Sequence, residues 1–247
     1  MDVRALPKSI LPVGVALLSL ASFYFAPNMG RSGLYMPANS LVWVAAAAVV
    51  LLGLFRLRRA PMQYPRYSVG LVLLPVLILC SGFLAGVVQP VDWLLRVLAL
   101  LLSVGFLFAL FQLAGNRRAV DNALLLLLAG MGGHVLVGLA QLLPSNPLPG
   151  LIPYYADHTA VGIFQQPNVQ ASAMALALVL ALYCITLPSF RQRHLLVRSL
   201  PFIVLLGAAL VLFSLGSRIG FIGALSGCLL MLLARYRCLL QRKISLL

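Results

Sequence analysis

Long apolar stretches are the feature that most constrains what this chain can fold into. A helix rises about 1.5 Å per residue, so about 20 apolar residues cross the hydrocarbon core of a bilayer. Only 9% of the 247 residues are charged, far below the roughly 25% of soluble domains. The sequence therefore predicts an all-α, polytopic integral membrane protein, with residues 1–247 as one membrane domain. About eight transmembrane helices are expected, near residues 9–26, 39–55, 69–88, 92–114, 122–143, 169–187, 200–216 and 219–235.

The basic residues predict the orientation of these helices. The chain has 18 Lys and Arg against 4 Asp and Glu, and 15 of the basic residues fall at the termini and in alternate connections. Cytoplasmic connections of membrane proteins carry the excess of Lys and Arg. Both termini are therefore predicted to be cytoplasmic, and the positive charge indicates topology rather than a nucleic-acid partner. The three remaining basic residues are Arg31, Arg96 and Arg218.

Motifs for metals, cofactors and nucleotides are missing from the sequence. The four cysteines are scattered without a C-x-x-C pair, so neither a disulfide framework nor a metal site is predicted. There is no H-E-x-x-H, no cluster of carboxylates and no P-loop. No cofactor is expected.

One connection on the predicted outer side concentrates polar chemistry. Residues 144–168 read PSNPLPGLIPYYADHTAVGIFQQPN and contain Asp157 and His158 but no Lys or Arg. A stretch this rich in proline cannot continue the preceding helix. We expect this outward segment to hold the polar site.

The end of this segment combines a helix start with hydrogen-bonding side chains. Pro167 has no amide hydrogen and biases Gln166 away from helical geometry, so a helix is predicted to begin at or just after Pro167, with Asn168 able to cap it. A plain helix start accounts for Pro167 and Asn168. It does not account for Gln165 and Gln166, which lie beside the positive end of the helix dipole, where phosphate or sugar hydroxyls bind readily.

Three further polar residues interrupt or border apolar helices. Arg218, in SLGSRIG, is a functional candidate because a cation near hydrocarbon is costly unless it is paired or hydrated; the alternative is snorkelling to headgroups. Arg96 follows Asp92 by four residues, the spacing of a structural ion pair. His134 lies among glycines in GMGGHVLVG, which predicts a packed, hydrogen-bonded histidine rather than a proton relay.

Two of these motifs together resemble a known family. A G-x-F-x-Q-P-N-x-x-A stretch that opens a membrane helix, followed about 50 residues later by S-R-x-G between two helices, resembles the O-antigen ligase and O-oligosaccharyltransferase superfamily, and most of all its PglL-type branch, which glycosylates pilins. Here the Gln is doubled, so Gln165 shares the expected role with Gln166. The matching residues are Gly162, Phe164, Gln166, Pro167, Asn168, Ala171, Ser217, Arg218 and Gly220.

The resemblance implies a transfer reaction at the periplasmic face of a Gram-negative inner membrane. The donor would be a glycan on undecaprenyl pyrophosphate, and the acceptor a Ser or Thr of a pilin-like protein or the core sugar of lipid A, without metal or nucleotide. Arg218 would stabilise the departing pyrophosphate, with Arg96 as a second donor. Gln165 and Gln166 would orient hydroxyl groups.

The resemblance also implies a catalytic base that is hard to assign in this sequence. In the family this role belongs to a histidine in a large periplasmic loop after helices like these. His158, beside Asp157, is the local candidate. We therefore expect this sequence to be the N-terminal portion of a longer ligase and to be inactive by itself.

Other functions fit the same pattern of helices and arginines. An O-antigen polymerase would use the same lipid carrier. A transporter of anions or lipid-linked sugars would use Arg96 and Arg218, although acids for ion coupling are missing from the predicted spans. A purely structural membrane subunit is the remaining alternative.

Overall fold

The computed structural model describes residues 10–24, 40–58, 61–65, 68–145, 147, 158–164 and 166–244. Over these residues the chain is helical, with eight α-helices, one short 3₁₀ helix and no strand. This confirms the predicted all-α fold. The α-helices are α1 (Ile10–Ala21), α2 (Ser40–Leu57), α3 (Ser68–Ala85), α4 (Pro90–Leu113), α5 (Arg117–Gln141), α6 (Pro167–Ile185), α7 (Leu195–Leu215) and α8 (Arg218–Ile244). The 3₁₀ helix, Pro188–Gln192, lies between α6 and α7.

Six of the described helices, α3 to α8, are long and apolar enough to cross a membrane. Two shorter apolar helices, Ile10–Ala21 and Leu41–Leu57, precede them. The chain is thus a multi-pass membrane protein. Helix α1 ends at Ala21, five residues before residue 26, where the sequence predicts the end of the first span. Just after this end, the Ser22 hydroxyl donates a hydrogen bond to the Ser19 carbonyl oxygen at 2.6 Å. A serine that bonds to the preceding turn competes with helix continuation.

The chain separates into two compact units, Met1–Val120 and Asp121–Leu247. The interpretation of residues 1–247 as a single membrane domain stays a prediction.

In the first unit α2 packs chiefly on α4, where a Cβ on Gly53 would lie 2.6 Å from that of Ala109. The glycine lets the two backbones approach closely, as in membrane helix pairs generally. Helix α3 meets α4 where Phe83 packs edge-on against Trp93, with ring centroids 5.4 Å apart.

A glutamine also ties a connection to a helix end in the first unit. Gln112, in the last turn of α4, is 5% exposed. Its Oε1 accepts from the Gln63 amide at 2.9 Å, and its Nε2 donates to the carbonyl of the same residue. The backbone of Gln63, between α2 and α3, is therefore held from both sides by one carboxamide.

The second unit is built around α6. Small residues on α6 are fully buried against α7 and α8, and α5 packs along α7 with glycines at the contacts. A Cβ on Gly132 would lie 3.1 Å from Val204, and one on Gly138 3.0 Å from Val211. From Gly132 to Gly138 along α5, the contacted residue on α7 moves from Val204 to Val211. The two helices therefore run parallel.

Candidate functional site at the start of α6 and α8

Helix α6 begins at Pro167, as the sequence predicts. Gln166 occupies the N-cap position with extended backbone angles (φ −144°, ψ 121°) and makes no capping bond through its side chain. The prediction that Asn168 caps this helix is wrong. Proline suits the first helical position, and the residue before it is held extended, so Gln166 takes the cap and Asn168 is already inside the first turn.

Helix α8 begins at Arg218, after a tight corner. Gly216 ends α7 with a left-handed backbone (φ 59°), which a residue without Cβ adopts at little cost. The next residue, Ser217, accepts a hydrogen bond from the Gly220 amide at 3.3 Å and so caps α8. Ser217 is buried, whereas Arg218 directly after it is exposed. The corner therefore presents the arginine at the surface of the second unit.

The starts of α6 and α8 lie side by side. The Ser217 hydroxyl donates to Oδ1 of Asn168 at 3.3 Å, and a Cβ on Gly220 would lie 2.7 Å from that of Ala171. Further along, a Cβ on Gly227 would lie 2.8 Å from the Val179 side chain. From Ala171 to Val179 along α6, the contacted residue on α8 moves from Gly220 to Gly227. The two helices are therefore parallel, and their N-termini, the positive ends of the helix dipoles, lie at the same end.

Three predicted site residues are brought to this common end. Gln166 and Asn168 are exposed at the start of α6, and Arg218 is exposed at the start of α8, directly after the serine that bonds Asn168. This end of the unit therefore offers one guanidinium, two side-chain amides and the backbone N–H groups of two helix starts as hydrogen-bond donors. Such a set suits an anion that carries several oxygens, such as a phosphate group.

A buried glutamine fixes the chain just before the site. Gln141, the last residue of α5, is 1% exposed. Its Oε1 accepts from the Gly162 amide at 2.7 Å, and its Nε2 donates to the Gly162 carbonyl at 3.2 Å. Gly162 has a left-handed backbone (φ 65°). Both backbone polar groups of this buried glycine are thus satisfied by one side chain.

A second buried glutamine contacts the same glycine from α6. Gln170 is fully buried, and its Nε2 donates to the His134 carbonyl on α5 at 3.3 Å. A Cβ on Gly162 would overlap the Gln170 carboxamide, so only glycine fits there. No described residue donates a hydrogen bond to Oε1 of Gln170.

His134 supports the segment through its ring. The imidazole is 1% exposed and stacks on Phe164, with ring centroids 4.9 Å apart and planes at 21°. The predicted packing of this histidine is confirmed, and its predicted hydrogen bonding stays a prediction. Gly162 and Phe164, both part of the motif that opens α6, therefore rest on side chains of α5.

The other predicted site residues have separate places. His158 is exposed, four residues before Gly162, with a left-handed backbone (φ 54°) that is uncommon for a residue with a side chain. Arg96 is exposed on α4, in the first unit. Gln165, Asp157 and the Asp92 side chain lie outside the described residues. Their roles stay predictions.

No motif in the sequence marks Gln141 or Gln170 as part of the site. A signal was present, because each is a carboxamide inside or at the end of an apolar helix, and such polar residues are costly in a membrane unless they are hydrogen-bonded. The same reasoning identifies Gln112. In contrast, the described residues contain no group of His, Cys, Asp and Glu side chains that would hold a metal ion.

Comparison with protein families matches residues 160–183 to the family described as protein glycosylation ligase. The matched segment runs from the residue pair before Gly162 to the last turn of α6, and so includes Gln166, Asn168 and Gln170. This short match supports the similarity to the PglL and O-antigen ligase superfamily and a glycan-transferring ligase role. Comparisons with curated proteins and with solved structures give no match.

Proposed function

We propose that this protein takes part in the transfer of a glycan from undecaprenyl pyrophosphate to a hydroxyl group at the periplasmic face of the inner membrane. The acceptor would be a Ser or Thr of a pilin-like protein, or a core sugar of lipid A. The observation that supports this most strongly is the parallel pairing of the α6 and α8 starts, linked by the Ser217–Asn168 hydrogen bond.

In this proposal the pairing supplies the positive charge that a lipid pyrophosphate requires. When the acceptor oxygen bonds to the anomeric carbon, the bond from that carbon to the pyrophosphate oxygen breaks, and the pyrophosphate leaves with the electron pair. Negative charge therefore grows at the leaving oxygens. The Arg218 guanidinium and the N–H groups that start α6 and α8 stabilise this charge in the proposal. Gln166 and Asn168 orient sugar or acceptor hydroxyls.

The acceptor hydroxyl must also lose a proton. His158 is the proposed base in this part of the chain, since it is exposed and lies only four residues before Gly162. Neutral imidazole takes up the acceptor proton as the new bond forms. If the chain transfers glycan by itself, against the expectation that it is only part of a ligase, His158→Ala should abolish that transfer and leave donor binding unchanged.

The proposal is tested by donor binding. The full chain in lipid nanodiscs is titrated with undecaprenyl pyrophosphate that carries a glycan, and bound donor is measured by native mass spectrometry. Arg218→Ala should weaken binding about 10- to 100-fold, because a hydrogen bond to a charged group contributes about 1.5–3 kcal/mol. The matched control is Arg191→Ala, which removes an exposed arginine from the 3₁₀ helix after α6.

The outcomes separate the candidate functions. Equal weakening by both substitutions would mean only a general attraction of anions to a basic protein, and would overturn the proposed site. Donor bound at Arg218 together with a glycosylated acceptor peptide supports a ligase. Longer lipid-linked glycans formed without an acceptor would instead indicate a polymerase.

A further inference from the structure

Gly162 is held between two buried glutamines that no motif predicts. Gln141 reaches it from the end of α5 with two hydrogen bonds, and Gln170 packs over its α-carbon from the first turn of α6. Both glutamines are at most 1% exposed. The chain leaves this position toward Phe164 and reaches the exposed Gln166 four residues after Gly162.

We propose that Gln141 and Gln170 are positioning residues for the substrate site, because they fix the backbone at Gly162 and thereby the direction in which Gln166 and Asn168 are presented. Neither residue touches substrate in this proposal, since both are buried beneath the segment. The inference rests on the proposed function for what the site binds, but its structural claim is independent of the ligand.

Two features distinguish positioning from ordinary packing. First, the Gln141 carboxamide satisfies both the N–H and the C=O of one residue 21 positions away, so it fixes the rotation of that peptide as well as its distance. Second, Oε1 of Gln170 is buried without a donor among the described residues. A buried acceptor without a partner is unfavourable, and packing alone would be served better by an apolar side chain.

The first unit provides a matched control. Gln112 holds Gln63 with the same pair of bonds, from the last turn of its own helix and at similar burial. Gln141→Met and Gln112→Met each keep the side-chain volume and remove both bonds. Both variants should lose thermal stability, and Gln141→Met should lose more, since Gly162 is buried and cannot turn to water whereas the exposed Gln63 can.

Only one of the two variants should affect the site. With undecaprenyl pyrophosphate as the probe in nanodiscs, Gln141→Met is expected to bind about tenfold more weakly than the native protein, and Gln112→Met as tightly as the native protein. Gln141→Glu keeps an acceptor for the Gly162 amide and should restore part of the binding. Equal binding by Gln141→Met and Gln112→Met would overturn the proposal.

A second measurement needs no ligand. A spin label is attached to Gln166→Cys in a chain whose four native cysteines are replaced by Ala, and its mobility is read from the line shape. Adding Gln141→Met or Gln170→Ala should increase mobility, while adding Gln112→Met should not. If no variant changes the line shape, the glutamines do not position the segment. If the native chain binds no lipid pyrophosphate but Gln141→Met or Gln170→Ala changes the line shape, the proposed function is wrong and the positioning role of the glutamines stands.

Discussion

The corner between α7 and α8 depends on the backbone of a single residue. Gly216 has φ 59°, and a Cβ built on it would meet nothing within 4 Å. A substitution there therefore changes backbone strain without a steric clash. This separates the conformational requirement of the corner from packing, which is rarely possible inside a bundle.

Gly216→Ala should lower stability by about 1–2 kcal/mol, the cost of placing a residue with a Cβ in the left-handed region. Gly105→Ala is the control, because Gly105 also has open space around it but lies within α4. That change should raise stability by up to about 1 kcal/mol, since alanine favours a helix over glycine. Thermal unfolding in detergent measures both. A Gly216→Ala protein as stable as Gly105→Ala would contradict the left-handed corner.

At the scale of helices, the contact between α6 and α8 sets where the site forms. Gly220→Ala would place a Cβ 2.7 Å from that of Ala171 and 2.8 Å from Leu212, so α8 must move away. We expect a loss of about 1–3 kcal/mol, as in other overpacked contacts, together with weaker donor binding as Arg218 shifts. Gly223→Ala is the control on the same helix, because its Cβ would lie 3.9 Å from Ala175. Thermal unfolding and donor binding of the two variants are compared. If Gly223→Ala lost more stability and binding than Gly220→Ala, the close contact between α6 and α8 would not lie at Gly220.

The helices were predictable from the sequence, but the contacts between them were not. The length of the apolar stretches predicts α3 to α8. Pro167 predicts the first residue of α6, because proline has a fixed φ and no amide hydrogen in any context. In contrast, α6 has small residues at Ala171, Ala175 and Ala177, which allow several registers against the glycines of α8. The bond between Gln141 and Gly162 arises only when the α5–α6 connection closes, so no local pattern marks it.

At the scale of the whole molecule, orientation decides which compartment the site faces. Parallel α5 and α7 alternate with parallel α6 and α8, which is the arrangement expected of a chain that crosses a bilayer at each helix. If the basic connections are cytoplasmic, residues 144–168 and the corner before Arg218 face the periplasm. The basic residues Arg191 and Arg193 between α6 and α7, together with Arg198 in the first turn of α7, would then oppose translocation of that connection.

Fusions of alkaline phosphatase, which is active only after export, test this orientation. Fusions after Ser145 and after Gly216 should be active, and a fusion after Gln192 should be inactive. A fusion of a cytoplasmic reporter at the same three positions is the control and should give the opposite pattern. Because a lipid-linked donor and a hydroxyl acceptor must meet the Arg218 site from the same side, an inactive fusion after Gly216 would place that site in the cytoplasm. Transfer to an exported acceptor would then be impossible, even if the lipid pyrophosphate still bound.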